Sequence, residues 1–164
     1  MATWVCPDCN RTFGSPGRSH ICKPGSTLEE LADSSIPTFR PIADRVIEHL
    51  RSLPGADEEL IVDPLDELVQ FKRDAMFAML RPMTKWSALS FNLHRTLDSG
   101  RLSRKVIEQR GSTKRFHTIN LHDVDEVDDE ILGWLTEAYD PTLTDTAPGP
   151  SDGDPMVPDD VDIW

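Results

Sequence analysis

An α+β fold is what this sequence predicts, and three observations lead to it. Apolar residues recur at helical spacing before residue 54 and again after residue 123. Between those stretches the pattern changes to short runs of period two, the signature of strands. The connections between most runs are short, which favours antiparallel pairing over crossovers. With 164 residues and 38% hydrophobic content there is material for one real core and a small appendage.

The appendage comes first. Cys6-Pro7-Asp8-Cys9 reads as a knuckle, a tight turn that presents two thiolates to one ion, with Asn10 at a position that tolerates a left-handed backbone. Ten residues later His20-Ile21-Cys22 supplies an imidazole and a third thiolate, giving C-x2-C-x10-H-x-C and a four-ligand zinc site of Cys6, Cys9, His20 and Cys22. Four protein ligands leave no position for a reactive water, so one structural Zn2+ is expected. The odd count of three cysteines, all within the first 22 residues, suits a metal site better than a disulfide framework. Phe13 and Trp4 make the minimal core of this zinc-binding module, residues 1–25, and the short H-x-C spacing lacks the helix of DNA-reading fingers.

The central domain, residues 26–140, follows Lys23-Pro24-Gly25, a linker. Ser26-Thr27-Leu28-Glu29-Glu30 has the form of a capping box opening a short helix to about Asp33. Ile42, Val46, Leu50 and Leu53, with Pro41 in the first turn and Pro54-Gly55 as a stop, predict a helix over 38–53 against a sheet. Strands are then expected at 60–62, 68–72, 75–81, 86–93, 106–109 and 116–121, with Asp98-Ser99-Gly100 in a longer turn before the last pair. Asp123 is expected to cap a second long helix, acidic in its first turn, with Val127, Ile131, Leu135 and Ala138 near one face and Trp134 and Tyr139 joining it. Residues 141–164, rich in Pro, Gly, Asp and Thr, read as a disordered acidic tail, Ile163-Trp164 excepted; those two suit either an anchor in a partner groove or a packed terminus.

Cys6-Pro7-Asp8-Cys9 with Arg11 and Phe13, His20 and Cys22, then Phe71-Lys72-Arg73, Phe77-Ala78, Arg81-Pro82, Leu132-Gly133-Trp134-Leu135 and Ala138-Tyr139 form a pattern that resembles the bacterial domain-of-unknown-function family DUF5655, preceded by the zinc module that some members carry. The resemblance covers about residues 3 to 140. It implies an α+β domain with helices packed on one face of an antiparallel sheet, and no established activity.

Charge is segregated along the chain. From Asp123 onward there are 14 Asp plus Glu and no Lys or Arg, so the net −12 conceals a near-neutral 1–122 with 17 bases and 15 acids. Residues 72–117 hold 11 bases against Asp74, Asp98 and Glu108. Lys72, Arg73, Arg81, Lys85, Arg104, Lys105, Lys114 and Arg115 therefore form a candidate nucleic-acid-binding surface of the phosphate-contacting kind, the alternative being a sheet edge protected from aggregation by charge. The acidic tail is either a solubilising extension or a gate over that surface.

An enzymatic reading is thin. Asp63 with Gln70-Phe71-Lys72 is a loose echo of metal-dependent nucleases, lacking the second carboxylate, and His94, His117 and His122 have no nucleophile or carboxylate at a telling spacing. A binding protein and not an enzyme is expected, with nucleic acid at the basic surface or a protein at the zinc module as partner. No apolar run approaches the roughly 20 residues of a membrane span, and the opening residues lack the regions of a signal peptide, so a cytoplasmic location is expected.

Overall fold

The structure, a computed structural model, describes residues 3–17, 20, 22 and 26–143. The linker expected at 23–25 and the tail beyond 143, with Ile163-Trp164, lie outside the described residues. Strands β1 (Trp4–Val5) and β2 (Thr12–Phe13) pair as an antiparallel ribbon around the cysteine knuckle. Helices α1 (Leu28–Asp33), α2 (Phe39–Arg51) and α3 (Ala56–Glu59) follow. Then come β3 (Ile61–Pro64), β4 (Val69–Arg73), β5 (Ala75–Pro82), β6 (Ser87–Leu93), β7 (Ile107–Glu108) and β8 (Arg115–Leu121), and finally α4 (Asp129–Tyr139). The described strands of the main sheet run in the order β3-β4-β5-β6-β8-β7, antiparallel at every pairing.

Alternation sorts the sheet into two unlike faces. The registers align Val62, Phe71, Ala78, Phe91 and His117 in one row, and Val69, Leu80, Leu89 and Ile119 in the next. These rows meet Phe39, Ile42, Val46 and Leu50 of α2 and Ile131, Trp134 and Leu135 of α4 in a single core. The pairing shifts between Phe71 and Lys72, leaving Phe77 without a partner on β4, and Phe77 packs its ring 5.7 Å from Tyr139 in that core. The opposite face carries the rows Asp63, Gln70, Met79, Ser90, Thr118 and Arg81, Ala88, Asn120. Its side chains are mostly amides and hydroxyls, with Met79, Ala88 and the charged Asp63 and Arg81, and none of these residues belongs to the core.

The helix ends show why some boundaries differ from expectation. Thr27 and Glu30 form the capping box of α1. Asp123 does not cap the long helix: its side chain accepts from Asp125 N–H (3.0 Å) and holds only a 3-10 turn, Val124–Glu126. Val127, buried at 1% exposure with ψ 81°, interrupts the helical path to reach the core, and Asp128 restarts it by accepting from Ile131 N–H at 3.2 Å. Pro54-Gly55 ends α2 as expected but is followed by the unpredicted turn of α3, entered through Gly55 at φ 80°. Pro141–Leu143, assigned to the tail, form a further 3-10 turn. No described helix is long and apolar enough to cross a membrane.

His117 sits fully buried in the core, stacked on Phe91 at 5.5 Å and 7°. The Arg115 carbonyl (2.9 Å) can only accept and the Leu97 N–H (3.0 Å) can only donate, so the ring is held neutral with its proton on Nδ1. Burial pushes its pKa below the ordinary 6.5. The folded chain then binds this proton less readily than the unfolded one. The stabilisation from His117 is complete above pH 6.5 and is lost as pH falls through that value toward the lower folded pKa. In thermal melts from pH 7 to 5, His117→Gln is expected to start less stable than the parent but to lose less stability across the range.

Candidate metal centre and sheet-face interface

The knuckle is built by main-chain bonds across one turn. Cys6 N–H donates to Arg11 C=O (2.9 Å) and Asn10 N–H to Cys6 C=O (2.8 Å), while Asn10 takes φ 62° to reverse the chain. This brings Cys6 and Cys9 to one side, and His20 and Cys22 close from the other: Cys6 Sγ lies 3.6 Å from Cys22 Sγ, and Cys9 Sγ 3.4 Å from His20 Nε2. All four donor atoms fall within 4.8 Å of one another. Metal–sulfur and metal–nitrogen bonds of the usual lengths at a tetrahedral centre place donors roughly 3.5 to 3.8 Å apart. The four side chains could therefore hold one metal ion with every position taken by protein. Hydrogen bonds from the main-chain N–H groups of Cys9 and Asp8 lower the Cys6 thiol to about 6, whereas the bond to Cys6 pushes Cys22 up to about 12. A cation at the centre removes the opposition between the two sulfurs.

The cysteine-bearing segment is tied to the sheet by a short chain of contacts. Phe13 stacks on His20 (4.1 Å), lies 5.9 Å from the Trp4 ring, and carries the Lys72 ammonium over its ring, Nζ 3.9 Å from the centroid. Lys72 donates to Asp63 Oδ2 at 2.7 Å, and Arg11 from the knuckle donates to the same oxygen through Nε (3.2 Å) and Nη2 (2.9 Å). All three charged residues are buried. Gly14 makes the second seam: a Cβ there would stand 2.3 Å from Asp74 Cα, so only glycine lets the two backbones meet. Asp63, Lys72 and Ile61 share the helix-free face of β3 and β4, so the module covers that corner of the sheet.

This arrangement divides the eight basic residues singled out above. Lys72 is held in the Asp63 cluster. Arg73 donates to Glu59 (2.8 Å) and Tyr139 C=O (3.1 Å) and lies over the Tyr139 ring. Arg115, at 1% exposure, bonds the Lys114 carbonyl (3.2 Å) and approaches Glu108 (3.8 Å). Lys72 and Arg115 are buried and Arg73 is half-buried against α4, because strand alternation turned them toward a module or core that lies elsewhere in the chain. Arg81 shares a surface contact with Glu67 (3.5 Å). Lys85, Arg104 and Lys105 are exposed and Lys114 is half-buried, none of them ion-paired among the described residues. Arg104, Lys105 and Lys114, with exposed Arg110, flank β7 at the sheet edge, beside the row Asn92, Phe116 and Ile107; Lys85 stands in the β5–β6 turn.

The remaining candidates do not converge. Asp63 faces Gln70 across β3 and β4, but its carboxylate is taken by two cations. His94 bonds Thr113 (2.7 Å) and His122 lies near Glu126 (3.5 Å) and Trp86, both at the surface. Sequence reasoning missed the bidentate pair of Arg95 with Glu137, a carboxylate 3% exposed, at 2.9 Å on each arm. It also missed the docking role of Arg11, whose partner is 52 residues away.

A family model described as a domain of unknown function (DUF5655) matches residues 29–142. The metal-ligand cluster lies ahead of the matched stretch. No curated protein and no solved structure matches the chain. Removing one member of the buried triad leaves charges without partners, and Asp63→Ala is expected to cost about 3 to 5 kcal/mol in denaturant unfolding. Asp63→Asn, which keeps a hydrogen-bond acceptor, should lose less.

Proposed function

We propose that this chain, which belongs to the DUF5655 family over residues 29–142, is a zinc-containing binding protein that recognises nucleic acid on the helix-free face of its sheet. The observation that carries the reading is the composition of that face. Between the metal module and β7 it offers the half-buried Gln70 and Asn120, with Phe116 beside them and Ser90, Asn92 and Thr118 buried among them, and its β7 rim holds Arg104, Lys105, Arg110 and Lys114 free of carboxylate partners among the described residues. Cations of this kind contact phosphates and release condensed counterions without reading bases, while amides and hydroxyls suit sugar and base edges. A helix-side ligand would have to displace the core.

Zinc is the ion that three thiolates and an imidazole at tetrahedral spacing fit best. Cys6, Cys9, His20 and Cys22 hold it, and it supplies the folding energy that a segment this small cannot draw from burial, on the order of 10 kcal/mol. Its role is to keep Phe13 and Arg11 placed against Lys72 and Asp63, which fixes one wall of the recognition face. The protein acts by recognition and not by turnover.

Anisotropy titrations of mixed-sequence single-stranded and duplex oligonucleotides across salt test the reading. The plot of log affinity against log salt should be steep, and Arg104→Ala with Lys105→Ala should flatten its slope by about 2 if each contacts a phosphate. The 21 residues beyond Leu143 carry six Asp and no cation, so a chain ending at Leu143 should bind more tightly. Absence of binding at low salt by zinc-loaded full-length protein would sink the proposal.

A further inference from the structure

The two free edges of the sheet differ, and the β3 edge lies at the floor of a cleft of about 700 Å³. One wall is the metal module, through Cys9, Asn10 and Thr12; the other is Thr27 and Glu30 of the α1 start, Arg51, and Asp57 and Glu58 of α3. Main-chain direction along the floor follows from the turn that joins β3 to β4. Leu65 N–H donates to Leu68 C=O (2.7 Å), so alternation makes Asp63–Gln70 and Ile61–Lys72 the hydrogen-bonded pairs and turns the main chain of Val62 and Pro64 outward. Pro64 C=O is indeed outward, accepting Ser26 N–H at 2.9 Å. The N–H and C=O of Val62 have no partner among the described residues.

We propose that this cleft takes an extended, basic segment of a protein partner, which pairs its main chain with Val62 as an added strand and sets cationic side chains against Glu30, Asp57 and Glu58. Strand addition to a sheet edge draws affinity from main-chain bonds and selectivity from the walls. Three rim carboxylates face one rim cation, Arg51; the buried group of Asp63 with Arg11 and Lys72 carries one surplus positive charge, which faces the Phe13 ring, so the cleft as a whole remains net acidic. That balance favours a basic occupant and disfavours the acidic C-terminal residues of this chain. A second copy is also disfavoured, because two recessed edges cannot meet. Ser26 and Pro64 close one end of the edge, so the paired stretch is short.

The test titrates isotope-labelled, zinc-loaded full-length protein with an acetylated, amidated heptapeptide of alternating lysine and threonine. The proposal expects the Val62 amide to shift in the NMR spectrum and to gain protection from hydrogen exchange. The same peptide methylated on its central backbone nitrogens should bind about tenfold more weakly, having lost a hydrogen bond. Asp57→Lys with Glu58→Lys, both on exposed positions, should weaken binding by roughly threefold or more. Equal binding of the methylated and parent peptides would reduce the interaction to surface charge and overturn the proposal, as would an unperturbed Val62 at millimolar peptide. Either failure leaves the nucleic-acid reading untouched, because that ligand lies on a different face.

Discussion

The Asp63 carboxylate is the interaction on which the arrangement of this protein turns. One oxygen receives Arg11 from the knuckle and Lys72 from β4, at 2.9 and 2.7 Å, with all three side chains nearly excluded from solvent. Burying two cations against one anion is costly unless something else faces the surplus charge. The ring of Phe13 does so, lying 3.9 Å from the Lys72 ammonium while it also stacks on His20. Metal site, aromatic ring, ammonium and carboxylate thus form one line, and the module has little freedom to swing against the sheet while that line is intact.

Much of this fold was legible from periodicity, because a strand buried on one face leaves a period-two trace and most turns here are short. The six strands of the main sheet fall within a few residues of where that trace puts them. The cluster of Cys6, Cys9, His20 and Cys22 that could hold an ion was legible as well, since a knuckle and an H-x-C pair need no tertiary information to be noticed. What a single sequence could not show is which face of a strand meets solvent. Lys72 and Arg115 look like surface cations in a run of basic residues, yet one is covered by a module some sixty positions earlier and the other is turned into the sheet's interior end. Capping failed in the same way. Asp123 and Asp128 both carry the signature of an N-cap, and the choice between them was made by Val127, which reaches the core only if the helix starts after it.

The two faces of the sheet divide labour according to what their residues can bury. One face is filled by Leu, Phe and Ile against α2 and α4, and His117 on that face is locked in a neutral tautomer. Little on that side can change partner without disrupting the core. The other face carries polar side chains: the buried Ser90 and Thr118 hydroxyls, 2.9 Å apart, satisfy one another, while Gln70 and Asn120 remain half-buried. Interactions with other molecules are therefore more readily accommodated on this face and at the sheet edges.

Those edges are protected by different devices, and the difference bears on function. At β7 the strand is two residues long and flanked by cations, which discourages pairing with another sheet and suits a polyanion. At β3 the protection is steric: Pro64 removes a donor, Ser26 occupies its carbonyl, and the metal module overhangs the rest. An edge guarded by charge attracts ligands of opposite charge over a broad area, whereas an edge guarded by walls admits only what fits between them. One of those walls is joined through Phe13 and Lys72 to the four side chains that could hold an ion, so an ion bound there would stiffen the β3 cleft more than the β7 rim.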